Sequence, residues 1–477
     1  MGIYTKTKII ATVGPASSSE EMLRKLIFAG VNVFRLNFSH GTHEDKKNII
    51  ENIVKLNAEL NTNVGILADL QGPKIRVGEM EENTELAIGD KVIFTTEKIV
   101  GNAKKMYVSY DAFTQDIKVG DRILIDDGKI ELKTVQILNG SEVMAEVIFG
   151  GIVLPKKGIN LPDTQVSVPS ITPKDAQDLE FILSQKINWI ALSFVRQADD
   201  IVKLKGIIDL KAHPAKVVAK IEKPEAVANI DAIIKAADAV MVARGDLGVE
   251  LPVEQMPIIQ KNIVRKCNEA AKPVIIATQM MESMIENATP TRAEVTDVAN
   301  AIFDGADAVM LSAETASGKH PVKVINIMHK ILEKSEEDPI IYNNEYPFDK
   351  NSKKILSDVI CYNACKIAEG VKAKAVIGLT KSGYTAYKLS SFRPRANIFV
   401  FSENPDLLNE VSLIWGVRAF YYNNFVSTDQ TIYDVHQMLF NRNLLSVGDI
   451  VLNTGSMPIQ ERGSTNTIKV SIINGTW

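Results

Sequence analysis

VVAKIEKPEAVANIDAIIKAADAVMVARGDLGVE, running from Val217 to Glu250, decides how the rest of the chain is read. It opens with a short apolar run that ends in Lys220, Ile221 and Glu222. A second apolar run ends in Arg244, Gly245 and Asp246. Between them apolar residues recur at helical spacing. Two short apolar runs flanking an amphipathic helix predict two buried parallel strands joined by a helical crossover. Each strand then delivers a cation and a carboxylate at its C-terminal tip, where parallel α/β sheets and barrels keep their chemistry.

The same unit repeats on either side. Residues 7–14 (TKIIATVG) form a strand, and a serine-capped helix SSSEEMLRKLIFAG follows. VNVFRLNFSHG and VGILADL give the next two strands, the latter ending at Asp69. From about Gln71 to Ser167 the rhythm breaks into Gly-Asp and Asp-Gly turns and short alternating runs, with no convincing amphipathic helix. These are hairpin signals and predict an inserted all-β domain. The helix TPKDAQDLEFILSQK resumes the pattern, and WIALSFV, KVVAKIE, AVMVARG, PVIIAT and AVMLSAE complete eight strand–helix units. Eight units favour a closed (β/α)8 TIM barrel over an open doubly wound sheet, which is the competing architecture. A polar, proline-bearing connector leads to a separate C-terminal α/β domain. The expected boundaries are 1–70 with 168–340 for the barrel, 71–167 for the insert and 352–477 for the C-terminal domain.

With 477 residues the chain has room for two or three cores, and its net charge of -4 gives no reason to expect nucleic acid or an acidic membrane as partner. No apolar run reaches the roughly 18 residues of a membrane helix. The opening MGIYTKTKII carries no signal-peptide pattern, so a cytoplasmic location is expected. Cys267, Cys361 and Cys365 lack metal or redox spacing and read as buried thiols.

On one barrel face the tips gather Arg35, Asn37, Ser39, Asp69, Ser193, Arg196, Lys220, Glu222, Arg244, Asp246, Thr278, Gln279, Ser312 and Glu314. Glu222 and Asp246, on adjacent strands without histidine or cysteine, suit a hard divalent ion such as Mg²⁺, whose shell substrate oxygens would complete. Lys220 and Arg35 add fixed positive charge, which makes a site for a small, highly anionic molecule. Phosphoryl transfer asks for this arrangement, because its catalysis is mostly positioning and charge neutralisation. The Gly245–Gly248 turn, at the start of a helical segment, offers backbone N–H groups that can hold a carboxylate.

The motifs KIIATVGPAS, NVFRLNFSHG, ADLQGPKIR, KIEKPEAV, MVARGDLGVE, ATQMMESM, PTRAEVTDVANAIFDG and LSAET occur in one order. Through them the chain resembles the pyruvate kinase family over nearly its whole length. The resemblance implies a phosphotransferase that moves the phosphoryl group of phosphoenolpyruvate to ADP, giving pyruvate and ATP in the last step of glycolysis. It makes Glu222 and Asp246 the ligands of Mg²⁺ or Mn²⁺, and Lys220 the cation on the phosphoryl group and developing enolate. Arg35 would hold the transferring phosphoryl group. The Gly245 and Asp246 backbone with Thr278 would hold the substrate carboxylate. Asn37, Phe38, Ser39, His40, Arg76 and Lys157 resemble the nucleotide contacts. Thr278 and the Ser312/Glu314 region lie near the enolate to be protonated, with the donor, a side chain or a water relay, left open. The inserted β domain becomes a lid that swings over the barrel mouth and excludes water.

One departure from the family pattern bears on ions. Asn37, Ser39 and Asp69 of the monovalent-cation cage are present, but Leu70 and Lys74 stand where potassium-dependent members have threonine and glutamate. A lysine ammonium can supply the charge of a bound K⁺, so a potassium-independent enzyme is expected. In the C-terminal domain Thr380, Lys381, Ser382, Gly383, Tyr384 and Thr385 lead into a helix and are expected to cradle the phosphate of an allosteric effector. GSMPIQERGSTNT, with Arg462 as a phosphate contact, loosely matches a second effector loop. The family also implies a homotetramer. Two other readings remain at this stage: a pyruvate-enolate aldolase or lyase, which would not need Arg76 or Lys157, and a catalytically inactive sensor of sugar phosphates.

Overall fold

Eight parallel strands close on themselves. In order around the ring they are Lys8–Val13, Val33–Asn37, Gly65–Asp69, Trp189–Leu192, Lys216–Ile221, Ala239–Ala243, Val274–Ala277 and Ala308–Leu311. The last pairs with the first, Lys8 opposite Ala308, and this contact excludes the open sheet. The structure is a computed structural model and describes residues 4–348, 352–457 and 464–475. The strands read as unbroken apolar runs because both faces are covered, by helices outside and packed side chains within. Inside, Ile10, Leu67, Trp189, Val218, Met241 and Met310 belong to one buried cluster. Leu413, from the C-terminal domain, joins that cluster and plugs the floor of the barrel, where Trp189 Nε1 donates to the Glu410 carbonyl at 3.1 Å.

Helices follow the strands, and their starts are written in the sequence. Ser19 caps Glu20–Ala29 by accepting from the Met22 N–H. Thr42 with Asp45, Thr172 with Asp175, and Thr291 with Glu294 form reciprocal capping boxes. One local expectation needs correction. The crossover after Glu222 is not one helix but two, Pro224–Ala228 and Ile230–Ala236, because Asn229 breaks the ladder with ψ near 15° and donates its side chain to the Arg196 carbonyl. The Gly245–Gly248 stretch opens a helical segment, as expected. It lies in a seven-residue helix, Arg244–Glu250, that starts directly off the strand.

The insert after Asp69 is a separate, sheet-rich unit with its own core, including Val92, Phe94, Phe113, Ile123, Leu132 and Val143. Each such side chain contributes about 1.5–3 kcal/mol on burial. Its six-stranded sheet is antiparallel except where Lys91–Thr95 meets Lys105–Tyr107. It also holds a four-residue helix, Phe113–Asp116, too short to show a periodic signal in the sequence.

The C-terminal domain is a five-stranded sheet in the order Val417–Tyr421, Asn397–Ser402, Ala375–Leu379, Ile450–Gly455, Thr467–Ile472, with only the last strand antiparallel. Arg393 fastens it to the barrel. Its buried guanidinium reaches Asp307 at 3.0 Å, Asn268 at 3.0 Å and the Gly305 carbonyl at 2.8 Å. Lys6 does the same from the other side, capping the carbonyls of Pro394, Arg395 and Ala396. All three cysteines are buried and free, and burial pushes the Cys361 thiol up to about 12. Among the described residues no helix is long and apolar enough to cross a membrane.

Candidate active site

The strand Lys216–Ile221 brings Lys220 to the mouth with its ammonium between three oxygens. Glu222 Oε1 lies at 2.8 Å, Ser193 Oγ at 2.8 Å and Asp69 Oδ1 at 3.4 Å. Burial opposes its charge, but Asp69 and Glu222 outweigh burial and hold it protonated beyond the usual lysine range. The strand Val33–Asn37, which pairs with the strand ending in Asp69, supplies Arg35, which donates through Nε to Asp69 Oδ2 at 2.7 Å and through a terminal nitrogen to Thr12 Oγ1 at 3.0 Å. Burial works against the Asp69 carboxylate too. Lys220 and Arg35 overcome it and keep that carboxyl below the usual range. The structure thus brings Arg35, Asp69, Lys220 and Glu222 into one network, with Arg35 and Lys220 both tied to Asp69.

Glu222 accepts the Phe194 N–H at 2.7 Å on its second oxygen. Phe194 itself sits at φ 53°, a left-handed conformation uncommon for a bulky residue, which aims that N–H at the carboxylate. Burial raises the Glu222 carboxyl, Lys220 pulls it back, and the like charge of Asp246 pushes it up again. Two carboxylates that repel one another at the end of adjacent strands fit a hard divalent cation, whose charge would relieve both. Among the described residues no group of three or more His, Cys, Asp or Glu side chains is set to hold a metal, so such an ion would take two protein ligands and fill its shell from substrate and water.

Asp246 projects from the first turn of the Arg244–Glu250 helix and is partly exposed. The Gly245 N–H donates to Thr278 Oγ1 at 2.7 Å, and a Cβ at Gly245 would stand 3.3 Å from that hydroxyl. Thr278 and Gln279 are both left-handed, at φ 69° and 56°. Their carbonyls accept from Arg244, which also pairs with Asp297 at 2.7 Å. Gly245, Asp246 and Thr278 are therefore gathered on one side of the mouth. Glu314 is buried against the loop that follows Thr278, accepting the Met281 N–H at 3.2 Å, and it also accepts the Ser312 N–H at 2.6 Å.

The expected nucleotide contacts are spread across barrel and insert. Asn37 Oδ1 accepts the Ser39 N–H at 3.0 Å, and the Phe38 carbonyl accepts from Lys174 at 2.7 Å. Burial lowers the His40 imidazole, with Arg76, Lys46, Arg35 and Lys74 each lowering it further, so this histidine is held neutral within a ring of cations. Arg76 and Lys157 belong to the insert. There Arg76 donates to the Lys156 carbonyl at 2.9 Å, and Lys157 pairs with Asp126 at 2.8 Å. Lys74 Nζ lies 4.0 Å from Asp246 Oδ1.

Ser193, expected among the strand tips, bridges Lys220 to the Leu70 carbonyl, 2.8 Å on each side. One residue at the mouth escaped the sequence reading. Glu250 is buried, pairs with Lys223 at 2.6 Å and accepts Asn160 Nδ2 of the insert at 2.7 Å. Its i+4 spacing from Asp246 was the available signal. In the C-terminal domain Thr380 Oγ1 accepts the Gly383 N–H at 3.0 Å, and Gly383 at φ 80° starts the helix Tyr384–Ser391. Thr380, Lys381, Ser382 and Thr385 line a cavity of about 670 Å³ with Lys354 and Thr465. Gly383 shapes that loop. Arg462, expected in the second loop, lies outside the described residues.

Residues 4–325 match the family model described as pyruvate kinase, barrel domain, and residues 358–471 match pyruvate kinase, alpha/beta domain. The chain is 41% identical over 474 residues to the pyruvate kinase of Bacillus licheniformis, covering 98% of this chain and 80% of that one. It is 40% identical over 478 residues to that of Clostridium acetobutylicum, covering 98% and 99%. A crystal structure of a pyruvate kinase from Cryptosporidium parvum superposes with a TM-score of 0.92 at 34% identity, over 98% of this chain and 96% of the other.

Proposed function

This chain belongs to the pyruvate kinase family, and from that premise we propose that it transfers the phosphoryl group of phosphoenolpyruvate to ADP. The observation that carries the reading is Lys220, a buried ammonium kept charged at the mouth by Asp69 and Glu222, with Arg35 on the same Asp69. Fixed positive charge in a water-poor site is what a transferring phosphoryl group needs.

Arg35 and Lys220 bind the phosphoryl oxygens and hold the group in line between donor and acceptor. The bond from phosphorus to the enol oxygen breaks while a bond to a terminal oxygen of ADP forms. Lys220 then faces the enolate oxygen and stabilises its charge. The Gly245 and Asp246 backbone with Thr278 orients the substrate carboxylate, and a proton reaches the enolate carbon on the Thr278, Ser312 and Glu314 side. A divalent ion, Mg²⁺ or Mn²⁺, held by Glu222 and Asp246 supplies charge neutralisation and a template for substrate oxygens.

The nucleotide lies between Asn37–His40 and the insert's Arg76 and Lys157. On this reading the barrel is 1–70 with 168–340, the lid 71–167 and the regulatory domain 352–477. The lid carries its own core, which supports movement as a body. Leu70 and Lys74 support turnover without potassium: Leu70 lacks the side-chain oxygen, and Lys74 brings a resident ammonium to the mouth near Asp246. The Asn37, Ser39 and Asp69 oxygens are already engaged in part, by the Ser39 N–H and by Arg35. A phosphorylated effector fits the cavity at Thr380–Thr385. Family membership supports reading the protein as a cytoplasmic homotetramer that acts at the end of glycolysis. The test is direct: protein, phosphoenolpyruvate, ADP and Mg²⁺ are mixed, and pyruvate is followed by coupled reduction. Pyruvate in proportion to enzyme supports the reading; none refutes it and leaves the inactive-sensor alternative.

A further inference from the structure

The helix Arg244–Glu250 has a catalytic end and a lid end. Asp246 and the Gly245 N–H are at its start, and Glu250 closes it. Glu250 Oε1 accepts two strong donors, Lys223 Nζ at 2.6 Å from the barrel and Asn160 Nδ2 at 2.7 Å from the lid. Its Oε2 is buried without a hydrogen-bond partner. Buried carboxylate oxygens are seldom left so, and one that is calls for a reason beyond local stability. One residue earlier, Val249 faces the lid across a gap one atom wide: a Cβ placed on Gly128 would lie 3.7 Å from Val249 Cγ1, ordinary van der Waals distance.

The lid edge that meets this helix is stiff. Asp126, Asp127 and Gly128 form a turn of three consecutive left-handed residues. The Asp126 N–H donates to the Gly158 carbonyl at 3.1 Å, its carboxylate holds Lys157 at 2.8 Å, and Asn160 pairs in register with Leu124. Lys157 and Asn160 therefore move together. We propose that Glu250 is a positioning residue: through Asn160 it senses closure of the lid and sets the Arg244–Glu250 helix, and with it Asp246 and the Gly245 N–H. Nucleotide drawn in by Lys157 pulls the same edge that Asn160 fastens, so the second substrate finishes assembly of the site that holds the first. The charge of Glu250, kept in place by Lys223, makes the hydrogen bond from Asn160 stronger than a neutral one.

This inference rests on the phosphotransferase reading, so wild-type turnover is measured first; a wild type that makes no pyruvate overturns both. With wild type active, Asn160→Ala is expected to lower kcat about tenfold while KM for phosphoenolpyruvate stays within about twofold, the signature of a contact that counts in the transition state and not in substrate binding. Glu250→Ala should fall at least as far. Glu250→Gln, which keeps the acceptor oxygen, should return to within about threefold of wild type. The double variant Asn160→Ala/Glu250→Ala should be no slower than Glu250→Ala alone. Asn160 lies on the lid surface, so its variant folds whatever happens at Glu250. A kcat for Asn160→Ala within about twofold of wild type, or effects that multiply in the double variant, would overturn the proposal while leaving the reaction untouched.

Discussion

Lys220 Nζ sits 2.8 Å from Glu222 Oε1, so the cation proposed for the phosphoryl group and a carboxylate proposed for the divalent ion neutralise each other in this structure. Substrate and ion together would separate that pair and give each partner a new counter-charge. The site is therefore primed by charges already buried and already ordered, and little reorganisation remains for the reaction itself.

Lys220→Ala removes the ammonium that faces the transferring group. It should lower kcat by about three orders of magnitude or more, with ADP and Mn²⁺ still binding by titration calorimetry. Near-normal turnover would show that another cation carries the charge.

Glu222→Gln and Asp246→Asn each remove one carboxylate. Each should weaken divalent-ion affinity by about tenfold to a hundredfold, read by Mn²⁺ paramagnetic relaxation on the free protein. Glu222→Gln also deprives buried Lys220 of a counter-charge. It should cost about 3 kcal/mol of stability or more in denaturant titrations, whereas half-exposed Asp246→Asn should leave stability nearly unchanged.

Lys74→Glu, combined with Leu70→Thr, removes the resident ammonium and adds oxygens. The double variant should need K⁺, with activity rising severalfold on adding KCl to a buffer free of Na⁺ and K⁺. Wild type should respond no more than to a matched ionic-strength control. A wild type that itself needs K⁺ overturns the assignment of Lys74.

Lys8 lies under the barrel, donating to the Val417 carbonyl at 2.8 Å, and burial pushes its ammonium down to about 7. In the unfolded chain the group titrates near its ordinary value, about 10.4. Between these values the unfolded state binds the extra proton, so stability rises with pH there, by up to about 1.4 kcal/mol per unit. Melting temperature should climb from pH 7 to pH 9 in wild type, and Lys8→Met should flatten that part of the curve. An identical slope in both proteins would show that other groups set it.

The barrel was legible because each strand is a short apolar run ending in polar residues, and because parallel strands need a crossover whose helix announces itself by period and cap. Arg35, Asp69, Lys220 and Glu222 could be placed at one mouth from that logic alone. Asn229 was missed as a break, since an asparagine inside an amphipathic pattern is tolerated as often as it interrupts. Glu250 was missed because its role depends on Asn160, ninety positions earlier in another domain, and no local pattern links the two. Lys74 was legible as a charge, but that it lies near Asp246 depends on how the connection from barrel to lid folds back.

Trp189 begins the strand whose tip is followed by Ser193, and its indole N–H is held by the Glu410 carbonyl of the C-terminal domain. Ser193, at the other end, holds Lys220. Four residues of extended chain, about 13 Å at the usual rise, thus run as a single strut from the floor to the reactive ammonium. Any shift of Glu410 and Leu413 would press on the strut's foot and tilt its head. A displacement of the C-terminal domain would need no relay of side chains around the barrel's rim to be felt at the mouth, because one strand already passes straight through it.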